Sequence, residues 1–366
     1  MKIDLLYEVE TDRPFDRLHQ RELFEEVLRQ VELADQLGYH TAWFVEHHFL
    51  VEFAHSSAPE VILGALSQRT ERIRLGHGVV LLPYPFNHPI RVAERIATLD
   101  ILSGGRVEFG TGRSSAYEQL GFDIAPEESR AMWQEALSII PKMWRDEPFS
   151  YEGRFFRIPE RHVIPKPIQQ PHPPIWLACT SPESWRLAGL NGIGALGFSF
   201  VMEMEEFATN MRAYREHLAQ ARPVGEFIND QVGAFTMVFC APSDQEAEEA
   251  ALEAFGWYIL SSYKLFLAHT KGAGWQVLRE KERAFLAALE GRTREVFDYL
   301  REHNSIVVGS PDRCIDALKR YEALGVDRML CLMQVRGIPL PEVRRSIELF
   351  GKEVVPVFHE AHRGVS

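Results

Sequence analysis

The chain has 366 residues, 46% hydrophobic and 25% charged, an ordinary globular composition with ample material for a core. A formal net charge of −12, with no run rich in lysine and arginine, argues against binding to nucleic acid or to an anionic membrane surface. No apolar run is long enough to span a bilayer, and MKIDLLYEVETDRPF has no signal-peptide core, so a cytoplasmic protein without membrane partners is expected.

Short apolar strands alternate with amphipathic helices along the chain, the pattern of βαβ units. KIDLLYE is the first strand, and LFEEVLRQVELADQLG the helix after it, ended by Gly38. HTAWFVE is the second strand, and Ser56 to Pro59 reads as the N-cap and early proline of the helix PEVILGALSQRT. IRLGHGVVLLP precedes HPIRVAERIATLDILS, closed by Gly104-Gly105; RVEFGTG precedes EESRAMWQEALSIIPKMW. PIWLAC, IGALGFSF, VGAFTMVFC and RMLCLMQV complete eight strands, and PEVRRSIELFGKEVVPVF closes the chain.

Eight strand–helix repeats without a linker predict a single (β/α)8 barrel domain over residues 1–366. Residues 148–173 are proline-rich with short alternating runs and predict a hairpin-like excursion. Residues 244–305, between strands seven and eight, form the longest insertion. Trp257, Tyr258, Tyr263, Phe266 and Trp275, with KGAG at 271–274, fit either a helical lid with a mobile joint or packing helices alone. Cys179, Cys240, Cys314 and Cys331 lie far apart with no CxxC pair, and read as free thiols of a reducing compartment.

In such a barrel the chemistry sits on the loops after the strands. Strand two ends in Glu46-His47-His48-Phe49, a carboxylate beside two imidazoles, which suits acid–base work, a metal, or hydrogen bonding at a helix entry. A metal is disfavoured because no HxH ends the first strand, which runs out as Tyr7-Glu8-Val9-Glu10, and His77 and His88 lack ligand spacing. Strand four exits through Gly110 and Gly112, which permit close approach of a ligand, to Arg113, a fork suited to phosphate, and Tyr117, a ring or hydroxyl. Strand five exits as Thr180-Ser181-Pro182-Glu183-Ser184, first of all a helix cap, and equally an anion site at a helix start. Adjacent strands carry Arg113 and this turn, so together they can clamp one phosphate. Gly76 and Gly78 lighten the third strand where a planar ring would lie against it.

WFVEHHF, GHGVVLLPYPFNHPIRVAERIATLDILSGGRVEFGTGR, the SPES helix start and VVGSPDRCIDALKRYEALGVDRMLCLMQ occur in an order that resembles the bacterial luciferase-like superfamily of flavin-dependent oxidoreductases, over essentially the whole chain. The resemblance implies an FMN site. It gives Arg113 as the phosphate-binding arginine, Thr180, Ser181 and Ser184 as the phosphate-binding helix start, and Gly78-Val79 as a non-proline cis peptide beneath the isoalloxazine. His47 matches the catalytic histidine, with His48 beside it. Gly112 stands where luciferase proper has a reactive cysteine, so light emission is not implied. The implied activity is oxidation of a small organic substrate by dioxygen and reduced FMN, delivered by a separate flavin reductase to a homodimer; the aromatic residues of 244–305 and Phe198-Ser199-Phe200 argue that the substrate is mostly apolar. A deazaflavin coenzyme with hydride transfer and a non-catalytic flavin-binding protein are the alternatives; no GxGxxG follows a strand, so nicotinamide binding is not expected.

Overall fold

In the computed structural model, which describes residues 1–200, 203–268 and 291–360, the strands outside the 148–173 stretch form where nearly every successive side chain is buried, as in a parallel sheet covered on both faces. In chain order they are β1 (Lys2–Tyr7), β2 (Thr41–Phe44), β3 (Arg74–Leu81), β4 (Val107–Gly112), β5 (Phe149–Glu152), β6 (Arg157–Arg161), β7 (Ile175–Cys179), β8 (Gly194–Phe198), β9 (Val232–Cys240), β10 (Ile306–Gly309) and β11 (Arg328–Leu332). Among the described residues, β1, β2, β3, β4, β7, β8, β9 and β11 pair in parallel in that order, and β11 returns to β1, closing a (β/α)8 barrel. The strands β5 and β6 form a separate antiparallel pair within the 148–173 stretch.

The helices are α1 (Arg17–Leu37), α2 (Pro59–Ser67), α3 (Pro89–Ser103), α4 (Ala116–Gly121), α5 (Ser129–Met143), α6 (Pro182–Leu190), α7 (Met204–Leu218), α8 (Asp244–Ala268), α9 (Thr293–Glu302), α10 (Pro311–Leu324), α11 (Leu340–Glu353) and α12 (Val355–Glu360). Their ends are set by local chemistry. Asp16 caps α1 by accepting from the backbone N–H groups of Leu18 and His19, and Gly38 ends it at φ 84°, a conformation that suits glycine. His88 caps α3 through Nδ1, which removes it from any metal-binding role. None of the described helices is long and apolar enough to cross a membrane.

Three expectations change. Ser56 does not cap α2: its hydroxyl donates to the Val45 carbonyl at 2.7 Å, and the N-cap position falls on Ala58, with Pro59 in the first turn as expected. The stretch between the seventh and eighth barrel strands carries α8 and α9 and is followed by a strand absent from the sequence reading, β10, which pairs with the carboxyl-terminal half of β9. Gly76 and Gly110 serve packing rather than a ligand. A side chain at Gly76 would run into the Trp43 indole, and one at Gly110 into the His77 carbonyl oxygen. Residues 269–290, with the KGAG joint and Trp275, lie outside the described residues, as do the Tyr263 and Phe266 side chains.

The amino-terminal end of the barrel is plugged by charge. Arg328 opens β11 with its guanidinium fully buried, Nη2 2.8 Å from Asp4 and Nη1 3.5 Å from Glu108. The indoles of Trp43 and Trp176 lie against it and donate to the same two carboxylates at 2.8 and 2.7 Å. The closed end is thus filled by an ion-paired, aromatic plug, and the carboxyl-terminal mouth is the end where a ligand can enter.

Candidate active site

The mouth holds a cavity with about 1300 Å³ of empty space, its opening to solvent included. Every lining segment comes from a strand end or from a helix over the mouth. The ends of β1 to β4 bring Glu8, His47, Gly78-Val79 and Gly112 to Ser115; β7 brings Thr180 and Ser181. Helix α5 adds Arg130 and α8 adds Tyr258.

One wall is a flat cradle. The Gly78-Val79 peptide is cis, as the resemblance implies. His77 pairs with Phe109 and Val80 with Thr111, so two residues of β3 face the single Gly110 of β4 in a bulge. A side chain at Gly112 would collide with Val79. Gly78 and Gly112 add no side chain to this wall, where Val79 packs against Gly112.

One end of the cavity is cationic. Arg113 is half-buried, and its guanidinium donates to a neutral partner, the Ser129 hydroxyl, at 3.0 Å. Burial, and then the neighbouring Arg130, make its charge harder to hold, which an incoming anion would relieve. Ser181 and Ser184 form a capping box at the start of α6, so the cap reading is correct, and the same hydroxyls line the cavity with Thr180. Glu183 would repel an anion there, but Arg186 and Arg130 pair with it at 2.7 and 3.1 Å. A phosphate fits this donor set, so the residues present suit an FMN-type group.

The other chemical element is a histidine–carboxylate pair. His47 Nδ1 lies 3.0 Å from Glu118 Oε1, and the His48 backbone N–H donates to the same oxygen at 2.8 Å. The hydroxyls of Ser114 and Ser115 donate to Oε2. Ser114 sits at φ 64°, an uncommon conformation for a non-glycine residue, found here beside the Glu118 carboxylate. Burial disfavours both charges, yet their mutual attraction and these hydrogen bonds win. His47 rises to about 9 and Glu118 falls to about 2, an ion pair across the neutral range. Glu118 occupies Nδ1, so Nε2 is the nitrogen His47 can offer to a reacting group.

Two candidates fall away from the cavity. His48 does not line it; its ring stacks on Phe86, meets Phe122 edge-on and lies 3.4 Å from Glu46. Glu46 in turn accepts from the Leu81 backbone and the Asn87 amide, so it ties the end of β3 in place. Tyr117 faces Phe49 rather than the cavity. Arg130, Glu118 and Glu8 belong to the site and were not singled out by sequence. Only Glu8 carried a readable signal, a carboxylate at the end of the first barrel strand.

A family model described as luciferase-like monooxygenase matches residues 10–328. The flavin-dependent trigonelline monooxygenase, oxygenase component, of Acinetobacter baylyi is 28% identical over 363 residues, 96% of this chain and 95% of that protein. The 4-hydroxyprotoasukamycin monooxygenase of Streptomyces nodosus subsp. asukaensis is 30% identical over 351 residues, covering 92% and 88%. Among solved structures, the monooxygenase RslO1 from Streptomyces bottropensis superposes with a TM-score of 0.80 at 27% identity, over 98% of this chain and all of that one.

Proposed function

Since the chain belongs to the luciferase-like monooxygenase family of oxidoreductases, we propose that it is the oxygenase component of a two-component flavin system, acting with dioxygen on a small, largely apolar organic molecule. Reduced FMN, made by a separate reductase, is the proposed flavin, and a homodimer the proposed assembly. The observation that carries this reading is the conjunction, in one cavity, of Arg113 with only a neutral hydroxyl partner among the described residues, the Gly78-Val79 wall and the His47–Glu118 pair.

When bound, the flavin would supply the electrons that activate dioxygen. The residues do the rest. Arg113, with Thr180 and the capped start of α6, holds the phosphate, and the β3 bulge supports the ring. Protonated His47 holds a proton at Nε2 for the reacting oxygen, and Glu118 fixes the ring and its charge. Phe198, Phe200 and Phe235 line the cavity and keep water from the reacting centre.

Fluorescence titration tests the cofactor. FMN should bind, and Arg113→Ala should weaken it roughly tenfold to a hundredfold, the worth of charge-assisted hydrogen bonds to a phosphate. Tight binding of a deazaflavin with no binding of FMN would overturn the reading in favour of hydride transfer.

A further inference from the structure

We propose that Glu8 is a specificity-determining residue of this cavity: as a neutral carboxylic acid it donates a hydrogen bond from Oε2 to an acceptor oxygen on an otherwise apolar substrate. The proposal rests on the reading above only in calling that ligand the substrate. Glu8 directly follows β1, lines the cavity and is 3% exposed. The Tyr258 hydroxyl of α8 donates to its Oε1 at 3.2 Å, which makes Oε1 the carbonyl oxygen and leaves the proton to Oε2. Oε2 is buried and has no hydrogen-bond partner among the described residues. A buried donor without an acceptor is costly, and native proteins rarely leave one except where a ligand completes it.

The surroundings favour the neutral acid. Glu8 faces His47 from the loop after β2, Glu118 from α4, Tyr258 from α8, and Glu10 from its own loop after β1, whose carboxylate accepts from the Arg336 backbone. Burial lifts it most, His47 and the Tyr258 hydroxyl pull it back, and Glu118 lifts it again, to about 7. Val9, β-branched and at φ 61°, turns the backbone between Glu8 and Glu10, a conformation kept only where packing enforces it. Around the acid the walls are aromatic: Phe53 and Phe200 pack on the Tyr258 ring, and Phe235 on Phe200. A polar donor set against aromatic walls fixes the orientation of an apolar ligand by its one oxygen.

A matched pair of probes isolates that bond: acetophenone, and α-methylstyrene, which replaces the oxygen by a methylene. Binding to the full chain is measured by ligand-observed NMR, without flavin and then with FMN. At pH 6 acetophenone should bind about fivefold to tenfold more tightly, the worth of one hydrogen bond, and the preference should vanish as pH rises through 7 and the proton leaves. Glu8→Gln keeps a donor in its amide, so it should keep the preference and lose the pH dependence. Glu8→Leu should lose the preference. Absence of a preference at pH 6, its survival in Glu8→Leu, or an unchanged pH dependence in Glu8→Gln would overturn the proposal. Failure of FMN to bind in the same samples would instead sink the flavin reading.

Discussion

Replacing His47 by Asn is expected to lower kcat by about 10²–10⁴-fold, the usual contribution of a positioned acid or base, with FMN affinity unchanged, because the phosphate end of the cavity is built from other residues. Product formation at saturating substrate with reductase-supplied FMN measures the first effect, and FMN titration the second. The pH dependence gives the sign. His47 lies at about 9, above its ordinary value, so the proton is present through neutrality and is lost only as pH rises through about 9. The kcat of the native enzyme should therefore be flat near pH 7 and fall at the alkaline end, while the Glu8 proton acts on KM. Glu118→Gln removes the charge that raises His47 and leaves burial opposing the imidazolium, so the alkaline limb should move down. A limb that stays in place in Glu118→Gln would show that the proton comes from another group. The same pair affects stability: a raised imidazole stabilises the fold below its unfolded value near 6.5, and that contribution disappears as pH passes about 9.

The barrel is legible in the sequence because strands buried on both faces read as continuous apolar runs, and glycines such as Gly38 and Gly104 mark the helix ends in left-handed backbone. β10 escapes because four residues, Ile306–Gly309, lie next to a long helical insertion and make no full repeat. The phosphate-like end is legible because Arg113 and the Thr180 to Ser184 turn follow neighbouring strands, and the barrel brings neighbouring strand ends together. The partner of His47 is not. Glu118 lies 71 positions away within Ser115-Ala116-Tyr117-Glu118, a segment whose local pattern shows no tie to a histidine. It is a capping box, and the same carboxylate also holds His47; the second role exists only in three dimensions. Tandem histidines also mislead, since successive residues leaving a strand point to opposite sides: His47 faces the cavity, and His48 enters the Phe86–Phe122 cluster.

Loss of charge at the closed end of the barrel should damage the fold and spare the site. Arg328→Leu leaves Asp4 and Glu108 buried, with Arg74 still beside Glu108. Removing one partner of a buried ion pair costs about 3–5 kcal/mol, so the urea midpoint at pH 7 should fall accordingly, while FMN affinity of the folded fraction holds. Acid should narrow the gap. In the native protein burial pushes Asp4 up, but Arg328, His40 and the Trp43 indole pull it below its ordinary value, so its contribution is present above about pH 4 and lost in stronger acid. In the variant burial acts with less opposition, Asp4 is raised, and protonation at moderately low pH relieves the stranded charge. Stability of Arg328→Leu should therefore rise from pH 7 toward pH 5 while that of the native protein does not. Adding Asp4→Leu should recover part of the loss, because an apolar pair can replace a buried ion pair, but not all of it. The Trp43 indole N–H then loses the acceptor it now holds at 2.8 Å, a penalty of about 1–3 kcal/mol. A double variant as stable as the native chain would mean that the plug contributes packing alone, and that the indoles need no acceptor to close the barrel.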